Sequence, residues 1–449
     1  MFKKLSRRSF IQTLSGAGIA FSIQHGFAQD SRANFVLILS DDHGIDEAGC
    51  YGNTVIKTPN VDTLAQQGML FRNAFTTTAM CTPSRSSLYT GLYPRRNGAH
   101  QNHSAAREGV QSLPHYLEPL GYRVMLAGKR HIKPEQVFPF EYIRFEDVAS
   151  FLQNPGKQPF CLVIALSEPH APYVQFPAGE GYSPEEMIIP PNLVDTPVTR
   201  RTMADYWNTV DVMDQQVGRI LNLLHERKLE DNTVCIYASD NGSGFPFCKW
   251  TLYETGLHLP FIVRFPGTVR SGFKTDAMIS YIDLLPTLIH LAGGEAPQDI
   301  DGHSFFDVLT GRESDHRSLI FATHTNRGIK QGSEYPIRSI RNHRYKYICN
   351  LLPDKTFTNV ITEGNPDRSG ENAYWLSWID RAQQDPFAAK RVHDYQHRPA
   401  EELYDLENDP YELKNLAMDS ATDSIKQDLR HKLQAWMEQQ QDDQLDLLP

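Results

Sequence analysis

Four short runs of apolar, partly β-branched residues punctuate the first half of the chain: Phe35–Leu39, Tyr122–Leu126, Phe160–Leu166 and Thr233–Ala238. None alternates with polar residues, so each predicts a strand buried on both faces, the kind found in a mainly parallel sheet. Periodicity alone leaves a buried helix open as the alternative for runs this short. Helical patterns lie between them. Asn60 to Gln67 stops at Gly68, Ser112 to Leu120 stops at Gly121, and Thr202 to Lys228 forms one long amphipathic stretch. Strand–helix alternation predicts an α/β fold with helices on both faces of the sheet. Later, Arg338–Cys349 alternates like a strand pair and residues 424–440 pattern as a terminal amphipathic helix, which together suggest a smaller α+β subdomain. Gly294 to Ala296, and Pro297 to His303, read as irregular connection. There is no internal repeat or low-complexity tract.

The residues at the end of each apolar run shift the picture from fold to chemistry. Asp41-Asp42 stands after the first, Gly128-Lys129-Arg130-His131 after the second, Glu168-Pro169-His170 after the third, and Asp240-Asn241-Gly242 after the fourth. In open α/β sheets ligands bind beyond the carboxyl ends of the strands, so these clusters are expected to converge on one crevice. Any one alone reads as a turn or helix cap. Asp41, Asp42, Asp240 and Asn241 offer only oxygen donors, a set that suits a hard divalent ion, calcium or magnesium ahead of zinc, copper or iron. Without a cation between them, adjacent carboxylates and a third from a distant strand would repel.

Residues 80–91 place Cys81 two positions before Pro83, in what reads as the first turn of a helix ending near Gly91. A thiol there, with Arg85 one turn along, reads as a low-pKa nucleophile beside an anion site, the alternative being a buried structural cysteine. Cys81-x-Pro83-Ser84-Arg85 with Thr90-Gly91 after it resembles the signature of the type I, arylsulfatase-like sulfatases. Asp41-Asp42, Gly128-Lys129-x-His131, Pro169-His170, Asp240-Asn241-Gly242 and Glu402-Leu403-Tyr404-Asp405-Leu406-x-x-Asp409-Pro410 match in family order along nearly the whole chain. The resemblance implies an alkaline-phosphatase-like sulfatase fold and oxidation of Cys81 to formylglycine (3-oxoalanine) by a formylglycine-generating or anaerobic sulfatase-maturating enzyme. It implies calcium held by Asp41, Asp42, Asp240, Asn241 and the modified Cys81. It assigns Arg85 to activation of the nucleophile, Lys129 and Lys249 to the sulfate oxygens, His170 to protonation of the leaving atom and His131 to removal of a proton from the second hydroxyl. Lys249 ends a loop shorter than is usual in the family. That loop, Gly128-Lys129-Arg130-His131-Ile132-Lys133-Pro134-Glu135 and Tyr335-Pro336-Ile337-Arg338-Ser339 are similar to the heparan N-sulfatase (sulfamidase) branch. A solvated loop lysine is the other reading of Lys249.

Composition fits this. The 449 residues are 40% hydrophobic and 22% charged, which excludes disorder and a small disulfide scaffold. A net charge of −10 argues against general nucleic-acid binding, so cations for a polyanion must be concentrated at one place. Residues 1–28 carry a basic start with paired Arg7-Arg8, a short apolar middle and Gly26-Phe27-Ala28, as in a twin-arginine export signal. The middle is too short and too rich in Gly and Ser to span a bilayer, so a periplasmic or secreted protein with no stable membrane insertion is expected. Six cysteines with Cys81 set aside leave five, an odd number that cannot pair completely, and Cys161 and Cys235 read as buried small hydrophobes. The expected division is signal peptide 1–28, catalytic domain 29–330 and C-terminal subdomain 331–449. His100, His103, Arg95, Arg200 and Arg201 are candidates for the mouth of the crevice, where sugar carboxylates or sulfates would be read. The expected activity is sulfate hydrolysis from a sulfated polysaccharide or oligosaccharide. N-sulfoglucosamine sulfohydrolase, a phosphonate or phosphodiester hydrolase of the same superfamily, and a non-catalytic glycan-binding relative are the alternatives.

Overall fold

The computed structural model describes residues 32–177, 179–363 and 373–449; the expected export signal lies outside them. In chain order the strands are β1 (Asn34–Ser40), β2 (Met69–Phe75), β3 (Arg123–Gly128), β4 (Glu141–Ile143), β5 (Phe160–Ala165), β6 (Thr233–Ser239), β7 (Phe261–Arg264), β8 (Phe273–Ser280), β9 (Ile320–His324), β10 (Ile337–Arg341), β11 (Tyr345–Asn350) and β12 (Glu401–Asp405). The first eight form one sheet in the order β4-β3-β5-β1-β6-β7-β2-β8. Only β7 runs against the rest, antiparallel to both β6 and β2. The four strands expected from the apolar runs are its contiguous centre, β3-β5-β1-β6, all parallel. Their patterning reflects burial on both faces: Phe35, Leu37 and Leu39 of β1 enter one apolar cluster, and Val36 and Ile38 enter the other. Cys161 and Cys235 are buried within β5 and β6, and all six cysteines are free thiols.

The helix Pro197–Glu226 begins earlier than its hydrophobic periodicity, because Pro197 opens it and the Thr196 side chain accepts the Thr199 N–H. It carries much of the core on one face of the sheet, and the Trp378 indole donates to Thr199 Oγ1 at 2.9 Å. The chain around Trp378 therefore folds back onto this helix. The smaller sheet, β12-β11-β10-β9, is antiparallel throughout, and the helix Asp423–Gln439 supplies Leu429, Leu433 and Trp436 to the core it shares with β10 and β11. β9 enters this sheet from ahead of residue 331, pairing with β10 from Ile337↔His324 to Arg341↔Ile320, so the small sheet starts on the catalytic side of the expected boundary. No helix of the described residues is long and apolar enough to cross a membrane.

Candidate active site

The parallel ladder continues one step beyond the strands, which sets the four clusters level with one another. Asp41 N–H donates to Glu168 O, Asp240 N–H to Ser40 O, and Lys129 N–H to Ala165 O at 2.8–3.1 Å. Gly128 is required at the end of β3, because at φ +85° a side chain would collide with Ala165 O. The helix Cys81–Thr90 starts at the thiol itself, is capped at Gly91 (φ +66°), and is pinned to the end of β6 by Ser84 Oγ donating to Asp240 O at 2.5 Å.

Asp41, Asp42, Cys81 and Asp240 are buried, and one ligand atom from each lies within 4.8 Å of the others. Asn241 Nδ2 donates to Asp42 Oδ1 at 2.6 Å, and its Oδ1 is buried without a partner. Three carboxylates and an orphaned amide oxygen fit a hard divalent cation, whose preference is for oxygen donors. Three cations surround the same carboxylates. Arg85, fully buried, sets Nε 2.9 Å from Asp240 Oδ2; Lys249 Nζ is 2.7 Å from Asp42 Oδ2; Lys129 Nζ pairs with Asp41. Burial pulls Lys249 down, and the charges of Asp42, Cys81, Asp41 and Asp240 outweigh it, holding the ammonium well above the ordinary lysine range. Lys249 is 3% exposed, so it is no solvated loop lysine. Its loop is fixed by Lys249 N–H donating to Ser243 O and Trp250 N–H to Ala79 O, two residues before Cys81.

Balanced three against three, these groups would carry two excess positive charges with a dication present, an excess that favours an anionic group. The thiol departs from the expectation drawn from its place on the helix. Burial, then the charge of Asp240, pushes Cys81 well above the usual cysteine range, against the opposing pull of Lys249 and Lys129. An unmodified thiol here is a poor nucleophile.

His170 Nε2 is 3.8 Å from Asp42 Oδ2. Burial, with Lys129 and His103 beside it, pulls His131 down to about 3, so its ring is neutral near pH 7. Both histidines line a cavity of about 310 Å³ with Cys81, Lys249, Trp250 and Tyr374. Of the five mouth candidates only His103 lines it. Arg95 pairs with Asp442 and Arg200 with Asp195, while Arg201 and His100 lie off the cavity. Sequence reasoning passed over His43, although it stands directly after the two aspartates. Its N–H donates to Ser239 Oγ at 2.9 Å, and its ring bridges Tyr237 OH at 2.6 Å and Glu47 O at 2.8 Å. Burial holds His43 neutral, down to about 4, where it props the turn in which Asp42 adopts φ 67°.

Gly242 offers a direct check on this scaffold, because a Cβ there would overlap Thr255 O. Gly242→Ala is expected to cost about 1–3 kcal/mol in denaturant unfolding, as overpacking does, and to displace Asn241 enough to weaken metal affinity in calorimetric titration.

The sulfatase family model matches residues 33–144 and 140–294, and the model described as N-sulphoglucosamine sulphohydrolase, C-terminal, matches residues 243–363. An ulvan-active sulfatase of Formosa agariphila is 34% identical over 446 residues, covering 94% of this chain and 83% of its own. Human N-sulphoglucosamine sulphohydrolase is 29% identical over 486 residues, covering 92% and 91%. A protein solved in complex with its substrate D-glucosamine-2-N,6-O-disulfate shares the fold, with a TM-score of 0.69 at 21% identity over 92% of this chain and 99% of its own. With the helix that starts at Cys81, the acidic cluster and the cationic cradle in place, and these matches running along most of its length, the chain belongs to the sulfatase family of sulfuric ester hydrolases, its residues 243–363 matching the N-sulphoglucosamine sulphohydrolase C-terminal model.

Proposed function

We propose that the protein is an exported sulfatase that removes sulfate from a sulfated polysaccharide or oligosaccharide, using a formylglycine made from Cys81 and a bound calcium ion. The observation that carries this reading is the convergence of Cys81, three carboxylates and three cations in one cluster, which opens through Asp42, Cys81 and Lys249 onto the cavity. Oxidation of Cys81 by a maturating enzyme would supply a hydrated aldehyde as nucleophile toward sulfur. Calcium, held by Asp41, Asp42, Asp240, Asn241 and the modified Cys81, would supply positive charge beside it.

The chain's own residues do the rest. Arg85, held in place by its bond to Asp240, activates the nucleophile. Lys129 and Lys249 grip sulfate oxygens as charge shifts onto them. His170 gives its proton to the departing oxygen or nitrogen, and the neutral His131 takes the proton released as sulfate leaves. N-sulfated glucosamine is the favoured group, because the C-terminal match and the human relative both bear that name. Ulvan-type O-sulfates compete, since the Formosa relative is ulvan-active. Export by the twin-arginine route carries a folded product, which suits a cysteine modified in the cytoplasm.

The test is sulfate release from a panel of defined N- and O-sulfated oligosaccharides, alongside an aryl phosphodiester, with intact-mass analysis of the Cys81 peptide. Release from N-sulfoglucosamine together with the aldehyde mass supports the reading. Turnover of the phosphodiester alone, or full activity with only the unmodified thiol, overturns it. Chelation with EDTA is expected to remove activity, and calcium to restore it better than magnesium, because a site of several protein oxygens favours the larger ion.

A further inference from the structure

His103 stands outside the sulfate cradle, yet it is the group that holds His131. Its Nδ1 lies 2.7 Å from His131 Nε2, and the two rings are 4.5 Å apart. Both residues adopt left-handed backbone conformations, φ 58° and 47°, which cost a non-glycine residue free energy and persist where neighbouring contacts enforce them. The contacts are present. His103 backbone N–H donates to Thr82 Oγ1 at 3.1 Å, which ties the backbone that carries the ring to the residue after Cys81. The Asn102 side-chain amide lies 3.3 Å from His103 Nε2 and can meet that nitrogen as donor or acceptor by a half-turn. With Nε2 of His131 taken up, its Nδ1 remains buried and without a partner.

We propose that His103 is the positioning residue of His131, fixing its ring and tautomer through the imidazole–imidazole hydrogen bond so that Nδ1 is the nitrogen that exchanges a proton with the reacting group. This rests on the role proposed above for His131. The balance is simple. With the shared proton on His131 Nε2, Nδ1 keeps its lone pair; a proton taken there breaks the O–H bond of the reacting hydroxyl, leaves that electron pair on oxygen, and forms one N–H bond, giving an imidazolium whose Nε2–H still donates to His103 Nδ1. A neutral partner orients the ring without the charge of a carboxylate, so it does not raise the basicity as an aspartate would. The groups facing His131 agree: Lys129 and Arg85 disfavour its charge and Asp240 favours it, while Lys129, Lys133 and Lys249 face His103.

The experiment compares His103→Gly, which accepts the positive φ but lacks the ring, with His103→Asn, which tolerates that backbone and keeps a polar atom where Nδ1 was. For His103→Gly, kcat is expected to fall about 10- to 100-fold, the usual loss when an orienting partner is removed, with KM nearly unchanged. Water reaching His131 moves the acidic limb of its kcat profile upward, toward the ordinary histidine range. His103→Asn is expected to recover most of kcat. In long-range ¹⁵N–¹H spectra of labelled histidine, assigned with His131→Gln, His131 is expected in one tautomer in the wild type and averaged in His103→Gly. Wild-type kcat and an unmoved limb in His103→Gly, equal losses in both variants with a matching drop in unfolding temperature, or the same tautomer pattern in wild type and His103→Gly would each overturn the proposal. A wild type that releases no sulfate would instead sink the functional reading, and the tautomer measurement would still decide the role of His103.

Discussion

Cys81→Ala is expected to abolish sulfate release, lowering kcat by about 10⁵-fold or more, as removal of a covalent nucleophile does. The protein should still fold. Alanine is a good helix former at the first position of the helix Cys81–Thr90, and the thiol makes only a long contact, 3.6 Å to Asp41 Oδ1. Its unfolding temperature should stay within a few degrees of wild type, and binding of a sulfated oligosaccharide to Lys129 and Lys249 should persist. The same loss is expected of wild-type protein produced without a maturating enzyme, because burial and the neighbouring carboxylates keep the native thiol protonated. Sulfate release measured beside the intact mass of the Cys81 peptide checks both; persistent turnover in Cys81→Ala would refute the covalent mechanism.

Asp240→Ala is expected to damage both stability and chemistry. Asp240 Oδ2 holds Arg85 Nε at 2.9 Å, Oδ1 accepts Asp42 N–H at 3.2 Å, and the carboxylate belongs to the acidic cluster. Removing it strands Arg85, which has no exposed surface, beside Asp41 alone at 3.8 Å. Breaking a buried pair by deleting one partner costs about 3–5 kcal/mol, so denaturant unfolding should show a loss of that order. Asp240→Asn keeps an acceptor for Asp42 N–H and should lose less stability while remaining as inactive, since the negative charge is gone. If calcium affinity and unfolding midpoint are unchanged in Asp240→Ala, the metal and Arg85 arguments both fail.

The central strands were legible because burial on both faces writes an unbroken apolar run, and the chemistry was legible because each run stops at residues that do not belong in a strand. The four clusters at the ends of β1, β3, β5 and β6 and the thiol at a helix start are products of local patterns. The flanking strands did not announce themselves. β8 is mostly polar and mostly exposed over its first half, β7 is four residues long, and β4 is a three-residue edge, each too short or too mixed for a period to emerge. β9 was missed for the same reason, which is why the small sheet starts before the expected boundary.

By its residues alone the chain determined which side chains can do this chemistry, since oxygen donors, a thiol and cations at strand ends are properties of type and order. Only the tertiary structure decided how they meet: Lys249 buried on Asp42, Arg85 locked to Asp240, His103 rather than a carboxylate behind His131, and a thiol protonated despite its helix. Those outcomes depend on burial and on distances between segments up to 207 residues apart in the chain, and no local pattern encodes either.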